Sequence, residues 1–277
     1  MKKVNIALVD SGINKNIKGY RKNVTYISNE EWDTYGHGTA CFNILKNSFI
    51  NSNIDIIKIL DSNGYTNIKV LYNALSDLVD SDIDIINLSI SVIDDDTKYF
   101  SKVHNICNEL FRKNKIIVCS LKNRETVFSI PAVFDCVLGV RGGCFKNNAI
   151  YWYNPNVSIQ AVANATPVLT RSLNNKRCFF SGNSKATIMM TAQIAGAVYR
   201  CKDGQEVQQS LINGAEKIQW CESDIEAAYL SWINGNNYLE KLVDIQVLKF
   251  ITDLVKRHKC VNAPTLNEFL SCGGRLN

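Results

Sequence analysis

Three histidines in 277 residues leave little choice for imidazole chemistry: any acid–base scheme must use His37, His104 or His258. Long apolar runs are also missing. Nothing approaches the ~18 consecutive apolar residues that a membrane span needs, so no membrane partner is expected. Lys2 and Lys3 precede an apolar stretch too short for a signal-peptide core, and no small-residue cleavage site follows. None of the ten cysteines (41, 107, 119, 136, 144, 178, 201, 221, 260 and 272) makes a CxxC pair with metal-ligand spacing. Most sit in apolar stretches such as IIVCS and FDCVLGV, the pattern of reduced, buried thiols in a cytoplasmic protein. No GxGxxG or GxxxxGK[ST] follows a strand-like run, which argues against nucleotide binding. Lys and Arg outnumber Asp and Glu 31 to 26 but are scattered, so no nucleic-acid partner is expected. No metal and no cofactor are expected. The one acidic run, Asp94–Asp95–Asp96, reads as a solvated loop; calcium is the only ion it would suggest, without a clear ligand motif.

What is present is core-forming material. Apolar residues make up 46% of the chain and charged residues 21%, enough for a full core. Short continuous apolar runs at 4–9, 54–60, 83–90, 115–120 and 136–140 read as strands buried on both faces. Helical periodicity fills 67–80, 99–113 and 205–219. Buried strands alternating with helices predict an α/β fold, a mostly parallel sheet with helices on both faces. Composition shifts after 220. The polar stretch 222–237 ends in an Asn-Gly-Asn-Asn turn, 238–258 carries an apolar helical face, and Thr265 and Glu268 suit a capping box for a last short helix. The expected organisation is a main domain over 1–220 and a helical C-terminal appendage over 221–277.

In such sheets ligands bind beyond the carboxyl ends of the strands. Asp10, Asn87, Ser89 and Asn123 lie at or just past the ends of their runs. His104 falls within a helix-like stretch, and His258 ends a basic helix where a cation suits the dipole. His37 differs: it lies between two glycines in TYGHGTACF, which permits close approach of another backbone. Ser184, in FSGNSKAT, opens a long small-and-apolar helix. The segments VDSG, GHGT and SGNS follow in that order, each at a strand-to-helix junction. An alcohol needs a neighbouring base to become a nucleophile. Imidazole suits that task at neutral pH, and a carboxylate can hold its tautomer.

These segments together resemble the subtilisin-like serine peptidases, the subtilases. ALVDSGI is similar to that family's Asp segment, GHGTACF to its His segment, and FSGNSKAT to its nucleophile turn. IINLSIS resembles the cleft wall, and KIIVCSLKN resembles the strand ending in the oxyanion asparagine. The resemblance runs over roughly 3–219 and implies a subtilisin-like fold and a serine endopeptidase acting on a peptide or protein substrate. It implies Asp10, His37 and Ser184 as the triad, Asn123 as oxyanion donor, and Asn87, Leu88, Ser89, Ile90 and Ser91 as the segment pairing with substrate. The chain departs from the family pattern at Lys122, Ser91, Asn183 and Ile188. A gap-free alignment on Ala195–Gly196 would instead put Ile188 at the nucleophile position, and the protein would then be an inactive peptide-binding relative. The start of the chain almost at the first core strand fits an intracellular bacterial member. A dedicated peptide or precursor, such as a leader peptide, is the expected substrate.

Overall fold

The computed structural model describes residues 3–90, 97–122 and 129–234, the last six and residues 97–98 by backbone only. Eight strands form one sheet: β1 (Val4–Asp10), β2 (Lys22–Thr25), β3 (Ser52–Lys58), β4 (Ile85–Leu88), β5 (Ile116–Ser120), β6 (Leu138–Gly143), β7 (Tyr151–Tyr153) and β8 (Ala161–Asn164). Their order is β2-β3-β1-β4-β5-β6-β8-β7. Every pairing is parallel except that of the edge strand β7 with β8. A separate antiparallel pair joins β9 (Val168–Arg171) to β10 (Arg177–Phe180).

Alternation of side chains along the strands explains how the helices divide between the faces. Val4, Ile6 and Leu8 of β1 share a core with α1 (His37–Ser48), α4 (Gly182–Arg200) and α5 (Gly204–Gly214). Ala7 and Val9 point the other way, into a core with α2 (Ile68–Asp77) and α3 (Thr97–Arg112). The sheet is therefore covered on both faces, as expected for continuous apolar strands. Asp10 keeps the parity of Ile6 and Leu8 and faces α1 and α4. In β4 the same alternation puts Asn87, and beyond the strand Ser89, on that side.

The order β3-β1-β4 has a further consequence. The chain leaves β1 toward β3 on one side and later returns to β4 on the other. The carboxyl ends of β1 and β4 thus flank a topological switch point, where crossovers diverge and leave a crevice.

Two boundaries differ from the sequence reading. The helix expected over 205–219 stops at Gly214, because the following residues pair with β7: Glu216 N–H donates to the Tyr151 carbonyl at 2.9 Å and Tyr153 N–H to that of Lys217 at 3.0 Å. The polar stretch at 222–237 contains a helix, α6 (Glu222–Asn234). Asp224 caps it by accepting from Cys221 N–H at 2.9 Å, and Ile225 and Ala228 pack against Phe145, Trp152 and Trp220. Residues 222–234 thus sit on the main body. The helices expected over 238–258 and after Thr265 lie outside the described residues.

Ile188 has no exposed surface and lies in the core shared by β1, α1 and α4. Truncating it removes buried methylenes and leaves a cavity. Ile188→Ala is expected to lower stability by about 2–5 kcal/mol, read as a lower urea midpoint with an unchanged slope.

Candidate active site

Asp10 ends β1 with no exposed surface. Its Oδ1 accepts from Ser11 N–H at 2.7 Å, and its two oxygens lie 2.8 and 2.9 Å from His37 Nδ1. An ionised carboxylate can only accept, so Nδ1 is the donor in this contact. His37 is the first residue of α1, after Gly36 in a left-handed conformation, φ 95°.

The glycines flanking His37 serve different contacts. A Cβ at Gly38 would stand 2.4 Å from the Gly12 carbonyl oxygen and 3.2 Å from Asp10 Oδ1. A Cβ at Gly36 would stand 2.3 Å from Ser172 Oγ, which donates to the Gly36 carbonyl at 2.7 Å. The turn after β1 and the start of α1 can touch only because neither carries a side chain there.

Two buried charges, missed in the sequence reading, hold this junction. Asp33 accepts from Ser11 Oγ (2.9 Å), Tyr35 N–H (3.0 Å), Gly36 N–H (2.7 Å), Thr39 N–H (2.9 Å) and Thr39 Oγ1 (2.5 Å). It ties the start of α1 to Ser11, whose Oγ in turn accepts from Gly38 N–H at 2.8 Å. Lys58, in register with Asp10, donates from Nζ to the carbonyls of Ser11 (2.9 Å) and Leu60 (2.8 Å) and lies 3.2 Å from Glu30. Neither stood out in the sequence: Asp33 lies three residues before Gly36, the N-cap of α1, and Lys58 is a single cation at the end of an apolar strand.

Ser184 is 8% exposed, in the first turn of α4. The helix starts at Gly182, φ 82°, a conformation suited to glycine. Ser184 Oγ donates to the Ser89 carbonyl at 3.2 Å. Ser89 Oγ lies 2.9 Å from Asn87 Oδ1, and Asn87 donates to Thr191 Oγ1 at 2.7 Å. The end of β4 is thus laced to α4. Cys41, one turn after His37, sits beside this pair: its Sγ is 3.7 Å from His37 Nδ1 and within 4.8 Å of a carboxylate oxygen of Asp10. Burial and the Asp10 carboxylate push this thiol well up, so it stays protonated. Asp10, His37 and Cys41 offer three possible metal-ligand atoms within 4.8 Å of one another.

Asn87 and Leu88 pair on both edges with β1 and β5. The expected substrate-pairing segment 87–91 is corrected accordingly: those two cannot accept an added strand, and of its described residues only Ser89 and Ile90 lie past the ladder. Ser91 and Asn123 are outside the described residues. The carbonyl of Lys122, next to Asn123, accepts from the Asn183 side chain at 3.3 Å, and that of Leu121 at 2.9 Å. Asn183 directly precedes Ser184. Aromatic rings frame the imidazole: Phe180 at 5.0 Å and Tyr35 at 6.3 Å between centroids. Beside Tyr35 the 61–65 turn packs Gly64 so closely that a Cβ would stand 2.6 Å from the Tyr35 ring, and Tyr65 is exposed.

Lys185 follows Ser184 and turns inward, almost fully buried. Its Nζ reaches Asn148 Oδ1 at 3.0 Å and Thr166 Oγ1 at 3.3 Å, with the Cys144 thiol as the nearby titratable group. Burial pushes its pKa down to about 7.

A profile of the Subtilase family matches residues 1–230. The thermophilic serine proteinase of Bacillus sp. (strain AK1) is 23% identical over 235 residues, which are 77% of this chain and 56% of that protein. The chain therefore spans little more than half the length of this relative. Among solved structures, a cold adapted subtilisin-like serine proteinase superposes with a TM-score of 0.60 at 14% identity, covering 75% of this chain and 79% of its own. A lanthipeptide protease superposes with a TM-score of 0.61 at 18% identity, covering 74% and 78%.

Two expectations follow from the geometry. Gly38→Ala drives a Cβ into the Gly12 carbonyl and is expected to cost more than about 1 kcal/mol, with loss of the low-field NMR signal of the His37 Nδ1 proton. For Lys185 the folded pKa lies below the unfolded one, so the unfolded chain binds its proton first as pH falls. Stability contributed by this site is therefore highest above about pH 10.5, falls as pH drops toward 7, and levels off below, a span of order 5 kcal/mol. Lys185→Met should flatten that dependence, so the variant's advantage over the parent in urea melts grows from pH 9 to pH 7. An unchanged difference between the two curves would contradict a buried, proton-shedding amine.

Proposed function

The chain belongs to the Subtilase family, and from that premise we propose that it is a serine endopeptidase using Asp10, His37 and Ser184. The observation that carries this reading is the two-oxygen contact of Asp10 with His37 Nδ1 at the same sheet edge where Ser184 is tied to Ser89. Two further features support Ser184 over its rivals. Ile188, the alternative from a gap-free alignment, is a core residue, and the nearby Cys41 is held as a thiol.

In this mechanism the Ser184 hydroxyl turns from the Ser89 carbonyl to His37 Nε2. As Oγ attacks the substrate carbonyl carbon, its proton passes to Nε2 and the carbonyl electrons move to oxygen. Asp10 stabilises the imidazolium and keeps Nδ1 protonated. The oxyanion is met by the Ser184 N–H, one of the early helical amides with no intrahelical acceptor, and by the Asn123 side-chain amide. The imidazolium then protonates the leaving amine as the C–N bond breaks. Water, activated by the same nitrogen, hydrolyses the acyl-enzyme. Ser89, Ile90 and Ser91 supply the backbone for an extended substrate.

The substrate we propose is a dedicated peptide or precursor, cut in the cytoplasm. The free state of every described cysteine fits a reducing compartment. The aromatic surface of Tyr35 and Tyr65 beside His37 supports selective recognition, and a lanthipeptide protease is among the fold relatives.

A fluorophosphonate probe followed by intact-mass measurement tests the nucleophile. One adduct is expected on the parent protein and none on Ser184→Ala; Asp10→Asn should slow labelling by orders of magnitude. Absence of labelling on folded protein would sink the catalytic reading and leave a peptide-binding relative. Rapid breakdown of casein would refute a dedicated substrate without touching the triad.

A further inference from the structure

Acidic residues are missing from one long stretch of the chain. Between Asp135 and Asp203 there is no Asp or Glu, whereas Lys and Arg recur throughout. Three of those cations, Arg171, Lys176 and Arg177, lie on the ribbon made by β9 and β10, and all three are exposed. The neighbouring helix α1 adds no Asp or Glu of its own. In the turn before Gly36, Asp33 is engaged by the amides of α1, and Glu30 by Lys58.

The ribbon is fastened to the turn that carries His37. Ser172 Oγ donates to the Gly36 carbonyl at 2.7 Å, and the Asn43 side chain of α1 donates to the Arg171 carbonyl at 2.9 Å. Arg171 thus stands one residue from the contact that borders His37. Side-chain alternation orients the rest. Phe180, Cys178 and Val168 turn toward the core, with Phe180 against the His37 ring. Arg171 and Arg177 oppose one another in the antiparallel register and share the other face. Like charges placed directly opposite destabilise a ribbon. The turn keeps them there nonetheless: Ser172 N–H donates to the Lys176 carbonyl at 2.9 Å, and Arg171 Nη1 donates to Asn175 Oδ1 at 2.7 Å.

We propose that this ribbon is a subsite for an acidic segment of the substrate, on the carboxyl side of the cut bond. The side follows from the mechanism above. The imidazolium gives its proton to the leaving amine, so the leaving half of the substrate lies against His37, which the ribbon borders. Carboxylates of a bound peptide meet two guanidiniums and an ammonium there, in charge-assisted hydrogen bonds, and relieve the repulsion between the arginines. Three clustered cations suit a short run of Asp or Glu, whereas a nucleic-acid backbone needs a longer track of them. The subsite rests on the endopeptidase reading for its side of the bond, but not for its preference for negative charge.

Two measurements keep those readings apart. The first needs no turnover: fluorescein-labelled hexaglutamate is titrated by anisotropy into the full chain carrying Ser184→Ala. Adding Arg171→Gln, Lys176→Gln and Arg177→Gln together is expected to weaken binding about tenfold. A control that loses three exposed cations on the α2 and α3 side, Lys69→Gln, Arg112→Gln and Lys113→Gln, should change it by less than about twofold. Both variants are checked for folding by circular dichroism. In the second measurement the parent protein digests a mixed peptide library, and mass spectrometry maps the cuts. Asp and Glu are expected to be enriched just after the cut bond, and the ribbon variant should lose that enrichment. Cuts without acidic enrichment, equal weakening in both variants, or tighter binding of an oligothymidylate of the same length would each overturn the subsite. Ribbon-dependent binding by folded protein that cuts nothing would uphold the charge preference and count against the endopeptidase reading instead.

Discussion

The hydrogen bond between His37 and Asp10 rests on a meeting of two backbones. Gly12 and Gly38 approach so closely that one methyl group at residue 38 would overlap a carbonyl oxygen. That contact fixes where α1 begins relative to the end of β1, and so sets the distance between carboxylate and imidazole. The buried ions around it are there to hold it. Asp33 gathers the amides at the start of α1, and Lys58 gathers one carbonyl after β1 and one after β3. Each charge faces backbone dipoles of the appropriate sign, which is how a charge survives burial.

The site is also a product of sheet parity. Asp10, Asn87 and Ser89 share the face that packs on α1 and α4, because side chains alternate along β1 and β4. The apolar residues between them point to the opposite core. Polar side chains at the carboxyl ends of two adjacent strands, on one face at the switch point, are thereby presented to the starts of two helices. Lys185 is the converse case. It follows the serine in sequence, yet helix rotation takes it to the other side, where Asn148 and Thr166 receive it.

Much of this was legible in the sequence. The buried strands read as continuous apolar runs, and β1, β3, β5 and β6 fall where those runs do. The glycines flanking His37 signalled close approach, and GHGT and SGNS marked the starts of α1 and α4, whereas VDSG ends β1 with the strand β2 next in the chain. What escaped was whatever depends on a partner remote in sequence. The short strands β2 and β7 are formed by their neighbours more than by their own residues. The end of α5 is set by pairing with β7, and α6 by Trp152 and Phe145 beneath it. Asp33 and Lys58 escaped because a lone charge beside an apolar run looks like surface until its backbone partners are known.

The contacts that assemble the crevice differ greatly in the chain length they enclose. Asp10 and His37 are 27 residues apart, whereas Ser184 and Ser89 are separated by 95. The entropy of closing a loop rises with its length, and distant pairings form late in folding. The acid–base pair can take shape from the first strand and helix alone, but the hydroxyl arrives only when α4 docks on a nearly finished sheet. On the proposed triad, a chain still emerging from the ribosome would hold a base with nothing to activate, and would be harmless to its own unfolded segments until folding is almost done.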